Sequence, residues 1–280
     1  MCMLNIIKSI IFGIVEGITE WLPISSTGHL YLFQSFMNLN EPKSFISMYM
    51  VVIQLGAILA VVLLYWKRLW PIRRIRTTKD RVGKIGWDHN ILKMWLKVIV
   101  ATIPAAVIGG PFDDFFEAHF YNPTSIAVML ILFGILFIVV ENHNATKKAR
   151  VYSVDDFTYK DAIIIGIFQL IAALFPGTSR SGATIIGALM IGISRTSAAE
   201  FTFFLAIPAM FGGSLLKLRH FHHFTGDQGA VLAVGMIVSF VVSVLAIKFL
   251  MQYIKTHDFK AFGWYRIALG IIVLAVGFLV

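Results

Sequence analysis

Two polar stretches interrupt a sequence that is otherwise apolar enough for the interior of a membrane. The first runs from Glu16 to His29 and the second from Pro176 to Thr184. An ionisable side chain at the centre of a membrane-spanning helix costs at least about 2.5–3.5 kcal/mol, so such residues face a cavity or a partner. The first stretch carries two carboxylates and an imidazole, and the second carries a guanidinium among hydroxyls. Both stretches are therefore predicted to contribute to one polar site.

The composition indicates an integral membrane protein. Of 280 residues, 58% are hydrophobic and 14% are charged, whereas soluble domains are about 45–50% apolar and about 25% charged. The net charge of +9 does not require a nucleic-acid partner, because the basic residues crowd into two short loops, 67–84 and 147–150. This positive-inside bias predicts that both loops are cytoplasmic. We therefore expect bilayer lipids, and no nucleic acid, as partners.

The apolar runs predict an all-α membrane protein with six transmembrane helices. A helix needs about 20 apolar residues to span a bilayer. The predicted spans are Phe45–Trp66, Ile91–Gly110, Pro123–Val140, Ala198–Leu218, Gly229–Leu250 and Gly263–Val280. Two further regions, Leu4–Met37 and Asp161–Ile193, are apolar but broken in the middle. They are predicted to be re-entrant helix–loop–helix hairpins, since broken backbone at membrane depth must line a cavity or be buried in protein.

Each hairpin is predicted to begin one half of an inverted-topology repeat. At one constant offset, Pro23 matches Pro176, Ser25-Ser26 matches Thr178-Ser179, and Thr27 matches Arg180. Three spans follow each hairpin, and an odd number reverses the side from which the second half enters. The chain is then a single polytopic domain over 1–280, with repeat 1 at about 1–141, a cytoplasmic linker at about 142–160 and repeat 2 at about 161–280. Chance similarity between apolar segments is the alternative.

Counting membrane crossings from the cytoplasmic basic loops places both termini outside the cell. The first hairpin then enters the membrane from the external face. The acidic 111–122 loop is then outside. The 220–228 loop is outside too, in conflict with the basic residues around it, which are Lys217, Arg219, His220, His222 and His223. Either the count is off by one crossing, or these residues bind an anion near the outer surface.

In the first stretch, Glu16 and Glu20 are spaced i, i+4, which places both carboxylates on one helix face. Like charges so close repel unless a cation or a shared proton lies between them. Carboxylate oxygens suit Mg²⁺ or Ca²⁺, so we expect one of these divalent cations as a cofactor. The alternative is the solvated face of an interfacial helix.

A hydroxyl-rich turn containing Ser26 precedes His29. A nucleophilic serine needs an adjacent base, and a histidine three residues later supplies one. Alternatively, His29 protonates a leaving group as general acid. The structural alternative is a helix N-cap followed by a hydrogen-bonded buried histidine.

The second stretch predicts a phosphate-binding turn. Small residues let backbone N–H groups approach an anion, hydroxyls donate, and Arg180 supplies a bidentate fork for phosphate oxygens. A helix that begins near Ser181 points its positive end at the same place. The alternative is a purely structural ion pair between Arg180 and a carboxylate such as Glu20.

Three polar residues lie outside these stretches but within or near predicted spans. Gln54, midway along a span, is predicted to hydrogen-bond between helices. Arg195 and Arg266 lie near span ends, where they are predicted to snorkel or anchor.

These features together resemble the bacterial undecaprenyl-diphosphate phosphatase family of the bacitracin-resistance type. The resemblance rests on a Glu-x-x-x-Glu helix that runs into Pro-x-Ser-Ser-Thr-Gly-His and on Pro-Gly-x-Ser-Arg-Ser-x-x-Thr, both complete here, and on the stretch around Gln54. It implies hydrolysis of the terminal phosphate of a C55 isoprenyl diphosphate, giving undecaprenyl phosphate and inorganic phosphate. This reaction recycles the carrier lipid for cell-wall synthesis and confers bacitracin resistance. The resemblance also implies a divalent cation and a multi-pass protein of the bacterial plasma membrane, with its active site open to the outer face.

The resemblance also assigns the site residues. The catalytic residues it implies are Glu16, Glu20, Ser26, His29 and Arg180, with Glu16 and Glu20 as metal ligands. The expected substrate contacts are Ser25, Thr27, Gln54, Gly177, Thr178, Ser179, Ser181 and Thr184. The nucleophile is left open between Ser26, with His29 as base, and a metal-bound water, with His29 as acid. A flippase or transporter for polyprenyl phosphate is the alternative function, and a homodimer is left open.

Overall fold

The computed structural model describes residues 2–75, 84–219, 221 and 224–279, which form a helical bundle. The helices are α1 (Cys2–Thr19), α2 (Ser26–Phe36), α3 (Lys43–Val52), α4 (Gln54–Leu69), α5 (His89–Pro104), α6 (Gly110–Phe120), α7 (Pro123–Asn144), α8 (Tyr159–Leu174), α9 (Arg180–Met190), α10 (Arg195–Arg219), α11 (Gly226–Tyr253) and α12 (Lys260–Leu279). A π-helical turn, Ala105–Gly109, joins α5 to α6, and a 3-10 turn, Val154–Asp156, precedes α8.

Six helical stretches are long and apolar enough to cross a membrane, which confirms the six predicted spans. They are Lys43–Leu69, His89–Phe112, Pro123–Asn144, Arg195–Arg219, Gly226–Tyr253 and Lys260–Phe278. Two of them are not continuous α-helices. The first is interrupted at Ile53, between α3 and α4. The second passes from Pro104 into the π-helical turn, because proline has no N–H to donate and disturbs the preceding turn.

Two stretches that were expected to be loops have regular structure. The expected outer loop 111–122 is mostly helical, because α6 continues the second span as far as Phe120. Within the basic loop, β1 (Ile72–Ile75) and β2 (Lys84–Trp87) pair antiparallel, with Ile72 opposite Trp87. Arg73 of this ribbon forms an ion pair with Asp88, which also caps α5. The prediction of an all-α protein therefore missed this two-stranded antiparallel ribbon.

Parts of two segments discussed in the sequence analysis lie outside the described part of the chain. They are residues 76–83 of the basic loop, and His220, His222 and His223 of the suggested anion site.

The two polar stretches form matching turns between helices, α1–α2 and α8–α9. Ser25 (φ 73°) and Ser179 (φ 68°) close these turns, and each accepts a hydrogen bond from the backbone N–H three residues later, at Gly28 and Gly182 respectively. A positive φ is uncommon for a residue other than glycine, so the shared geometry aligns Ser25 with Ser179. This places Arg180 opposite Ser26 rather than Thr27. The sequence alignment, which matched Pro23 with Pro176, missed the one-residue shift because Ser25 follows its proline by two residues and Ser179 follows its proline by three.

Close helix packing holds the bundle together. The helix α7 lies against α12, where Gly134 and Gly263 face each other; a Cβ added to either would lie 2.7 Å from the carbonyl oxygen of the other. Such small residues let membrane helices approach closely and pack without a hydrophobic driving force. The first turn is anchored on α10 through Trp21, whose ring meets that of Phe203 edge-on at 5.3 Å.

Candidate active site

A cavity of about 220 Å³ lies where the two turns meet. Its lining includes residues of both polar stretches and of α4, which are Glu20, Ser26, Thr27, Gln54, Gly177, Ser179 and Arg180. All of these are residues that the sequence singled out. Gln54, predicted to bond between helices, faces this shared cavity from the first turn of α4. We call this space the catalytic cavity.

Glu20 connects the two polar stretches. Its Oε2 accepts a hydrogen bond from Ser26 Oγ at 2.9 Å, and its Oε1 accepts one from Arg180 Nη2 at 2.8 Å. Arg180 also donates from Nη1 to the carbonyl oxygen of Thr202 at 3.1 Å, which restrains the guanidinium. A carboxylate that accepts a hydrogen bond from a hydroxyl is placed to take its proton. In this structure the carboxylate placed to act as a base beside Ser26 is therefore that of Glu20.

His29 hydrogen-bonds to residues other than Ser26. Its Nδ1 lies 2.7 Å from the carbonyl oxygen of Ser25, and its Nε2 lies 2.7 Å from the hydroxyl of Tyr265. The two rings are stacked, with their planes 8° apart. Because a carbonyl can only accept, Nδ1 carries the proton, and Nε2 of the neutral ring accepts from Tyr265. The Ser26–His29 pair expected from spacing is not formed, since both ring nitrogens already have partners.

Four of the predicted contact residues are buried behind the cavity wall: Ser25, Thr178, Ser181 and Thr184. Ser181 Oγ donates to the backbone carbonyl of Glu20 at 3.0 Å. Thr184 Oγ1 donates to the carbonyl of Arg180 at 2.9 Å. In the structure these hydroxyls hold the backbone of the two charged residues and do not line the cavity.

Arg266 lies in the interior, so the prediction that it snorkels or anchors at a span end was wrong. Its side chain is 0% exposed and donates to the carbonyl oxygens of Pro23 at 3.3 Å, Gly177 at 3.1 Å and Thr178 at 2.7 Å. A buried charge is tolerated only when it is well hydrogen-bonded, and these three carbonyls supply the bonds. Arg266 thus joins both turns from α12. The available signal was its position inside a span, where ionisable residues are rare.

Arg195 belongs to a separate ion pair. Its guanidinium donates to both carboxylate oxygens of Glu141, with the shortest contact at 2.6 Å. This pair ties α10 to α7.

The carboxylates of Glu16 and Glu20 fit a divalent cation. Glu16 is 0% exposed, and no described residue hydrogen-bonds to either of its carboxylate oxygens. Glu20 follows one helical turn later, with its N–H donating to the backbone carbonyl of Glu16, and two ionised carboxylates so close repel unless a proton or a cation lies between them. The described residues hold no cluster of three or more His, Cys, Asp or Glu that could bind a metal. The remaining ligands would then be substrate phosphates and water, as is usual for Mg²⁺.

Comparison with known proteins places the whole chain in one group. Residues 9–272 match the model of a family described as "Bacitracin resistance protein BacA". The chain is 60% identical over 275 residues to an undecaprenyl-diphosphatase of Desulfitobacterium hafniense, covering 98% of this chain and 96% of the relative. It is 58% identical over 272 residues to undecaprenyl-diphosphatase 1 of Clostridium acetobutylicum, covering 97% of each. It is 53% identical over 274 residues to an undecaprenyl-diphosphatase of Enterococcus faecalis, covering 98% of this chain and 97% of the relative.

Proposed function

This chain belongs to the bacitracin resistance protein BacA family, and from that premise we propose that it hydrolyses undecaprenyl diphosphate to undecaprenyl phosphate and inorganic phosphate. The observation that carries the proposal is the Ser26–Glu20–Arg180 cluster, which both hairpins build in one cavity. A hydroxyl, a carboxylate base and a guanidinium are the groups that phosphoryl transfer through a serine requires. The reaction recycles the carrier lipid of cell-wall synthesis and confers resistance to bacitracin.

Ser26 is the nucleophile of the proposed reaction. Its Oγ attacks the terminal phosphorus while Glu20 Oε2, 2.9 Å away, accepts the hydroxyl proton. The Oγ–P bond forms as the bond from that phosphorus to the bridging oxygen breaks, and undecaprenyl phosphate leaves with that oxygen. Water then attacks the phosphorus of the phosphoserine as the Oγ–P bond breaks, and Glu20 returns its proton to Oγ. Inorganic phosphate departs with one proton of the water, and the other proton passes to solvent.

Arg180 and the start of α9 bind the transferred phosphate. The guanidinium is held by Glu20 and by the carbonyl of Thr202, so it does not need to reorganise as negative charge develops on the phosphate oxygens. Because α9 begins at Arg180, the positive end of the helix faces the same anion. Ser179 and Gly177 complete this side of the cavity.

His29 supports the reaction by shaping the first turn. The Nδ1–H donates to the carbonyl of Ser25, the residue with positive φ immediately before Ser26. Tyr265 fixes the tautomer that makes this bond possible, as partners of histidine commonly do. His29 thereby holds Ser26 towards Glu20.

Glu16 and Glu20 would hold a divalent cation, Mg²⁺ or Ca²⁺, beside the diphosphate. When bound, such a cation neutralises phosphate charge and makes phosphorus a better electrophile. Addition of excess EDTA is expected to abolish phosphate release, and readdition of Mg²⁺ or Ca²⁺ is expected to restore it.

The two halves of the chain are proposed to form an inverted-topology repeat with re-entrant hairpins. The packing is reciprocal, because α1 lies on α11 of the second half and α8 lies on α5 of the first, while α7 and α12 pair with each other. The matching serine turns agree with this relation. Arg68 and Lys97 both contact Asp155. The two basic loops therefore lie at the same end of the molecule. That end is cytoplasmic by the positive-inside bias, and the catalytic cavity opens to the outer face.

Release of phosphate from undecaprenyl diphosphate by the detergent-purified protein tests the proposed function. We expect equal amounts of inorganic phosphate and undecaprenyl phosphate, with the release dependent on a divalent cation. Binding of the lipid without phosphate release at any cation concentration would reject hydrolysis and favour the transporter alternative.

A further inference from the structure

Two larger spaces adjoin the catalytic cavity. The first is a vestibule of about 520 Å³, whose lining includes the polar residues Gln34, Asn38, Lys43 and Ser47. The second is a cleft of about 390 Å³ between α5, the π-helical turn, α8 and α10. The vestibule shares Thr27 and Pro176 with the catalytic cavity, and the cleft shares Arg180 and Ala209 with it. Each of the two spaces therefore borders the catalytic cavity.

Small residues make the walls of the cleft, and its flanks are apolar. The walls include Ala105, Ala106, Gly109, Gly212 and Gly213. A Cβ added to either Gly212 or Gly213 would meet no atom within 4 Å, so the space beside α10 is open. Next to the walls, Val107 and Phe211 expose large apolar side chains, which suit lipid rather than water. An apolar chain thus has a route from the bilayer to Arg180.

Two polar groups at the inner end of the cleft lack partners. Gln169 is 2% exposed and lines the cleft, and no described residue hydrogen-bonds to either atom of its amide. Arg180 Nε, at the boundary with the catalytic cavity, also has no described partner. Buried donors and acceptors are normally paired, and an unpaired one destabilises the fold. Both groups therefore point to a polar ligand atom at the junction of the two spaces.

We propose that the cleft binds the chain-linked phosphate and the first isoprene units of the prenyl diphosphate. In this arrangement, which rests on the proposed hydrolysis, Gln169 and Arg180 Nε donate to the chain-linked phosphate, and the small-residue walls hold the chain. The terminal phosphate lies at Ser26 in the catalytic cavity, and inorganic phosphate leaves through the vestibule past Lys43.

Filling the cleft tests the position of the chain. Gly212→Leu places a side chain in the open space of the cleft, whereas Gly229→Leu adds the same side chain to an exposed position on α11 that also has no neighbour within 4 Å. We expect Gly212→Leu to lower kcat/KM about tenfold for both C15 and C55 prenyl diphosphates, because it displaces about one buried five-carbon unit. Gly229→Leu should behave as wild type. Inhibition by inorganic pyrophosphate, which has no chain, should be equal in all three proteins.

Gln169→Leu tests the contact with the chain-linked phosphate. The leucine removes an unpaired amide, so the melting temperature should stay the same or rise. At the same time, KM for the prenyl diphosphate should rise about tenfold, since one hydrogen bond to a charged phosphate is lost. Inhibition by pyrophosphate should weaken as well. A lower melting temperature with an unchanged KM would make Gln169 a structural residue and overturn the assignment.

The wild-type protein separates this proposal from the proposed function. If wild type does not release phosphate, hydrolysis is wrong, and the same variants are compared by equilibrium binding of C15 prenyl diphosphate. If wild type is active and Gly212→Leu keeps its kcat/KM, or if Gly229→Leu loses as much, the chain does not lie in the cleft.

Discussion

At the residue scale, one carboxylate connects the two halves of the site. Glu20 accepts from Ser26 through one oxygen and from Arg180 through the other. The ion pair orients the carboxylate, and the free lone pairs of Oε2 remain available for the proton of Ser26. The structural ion pair weighed as an alternative role for Arg180 is thus present, but it lies on the catalytic cavity together with a serine.

Glu20→Gln separates proton transfer from assembly of the site. The amide keeps the shape of the side chain but is a poor base, so kcat should fall about 10²–10⁴-fold, the usual contribution of general-base catalysis. The melting temperature should change little, since the amide oxygen still accepts from Arg180. The measurement is kcat at saturating lipid, and a loss of less than about tenfold would exclude Glu20 as the base.

At the element scale, α12 positions both turns. Arg266 donates to carbonyl oxygens in the first and the second turn, and Tyr265 beside it holds His29. The two turns therefore share one support, which explains how segments so far apart in sequence keep their side chains in register.

Arg266→Met removes that support. Three carbonyl oxygens lose their donor, so the free energy of unfolding should fall by about 2–5 kcal/mol, and kcat should fall with it because the turns separate. Thermal unfolding in detergent and phosphate release measure the two effects. Arg68→Met serves as the control, because Arg68 is 42% exposed and its ion pairs should contribute at most about 1 kcal/mol. Equal losses in both variants would show that Arg266 is not a specific support.

Hydropathy predicted the helices and the polar turns better than it predicted the contacts that connect them. Long apolar runs identified all six spans, and costly polar residues identified the two turns. The role of Arg266 depends on which backbone carbonyls lie near it in the folded chain. The hydropathy pattern of the sequence does not predict those contacts. The spacing of Ser26 and His29 suggested a pair, yet the positive φ of Ser25 turns the backbone so that Ser26 reaches Glu20. The π-helical turn and the β-ribbon likewise arise from local details that hydropathy does not report.

At the scale of the whole molecule, the proposed orientation places the two ends in different compartments. Asn38 lines the vestibule and is exposed, while Lys148 is exposed in the basic linker. Whether two such molecules pair as a homodimer stays a prediction.

Cysteine labelling tests the orientation. Cys2 is the only cysteine, so Cys2→Ser provides a clean background for Asn38→Cys and Lys148→Cys. In intact cells a membrane-impermeant maleimide should label Asn38→Cys only, and Lys148→Cys should react after permeabilisation. The reverse pattern would show that the catalytic cavity opens to the cytoplasm.

The most direct test of the central claim is to trap phosphate on Ser26. Wild-type protein is mixed with prenyl diphosphate labelled in the terminal phosphate, quenched within one turnover, and digested for peptide analysis. We expect a phosphoserine at Ser26 that forms and decays as undecaprenyl phosphate and inorganic phosphate appear. We also expect a Ser26→Ala variant to bind lipid but release no phosphate. Full activity of Ser26→Ala, with no phosphoprotein in wild type, would contradict the central claim.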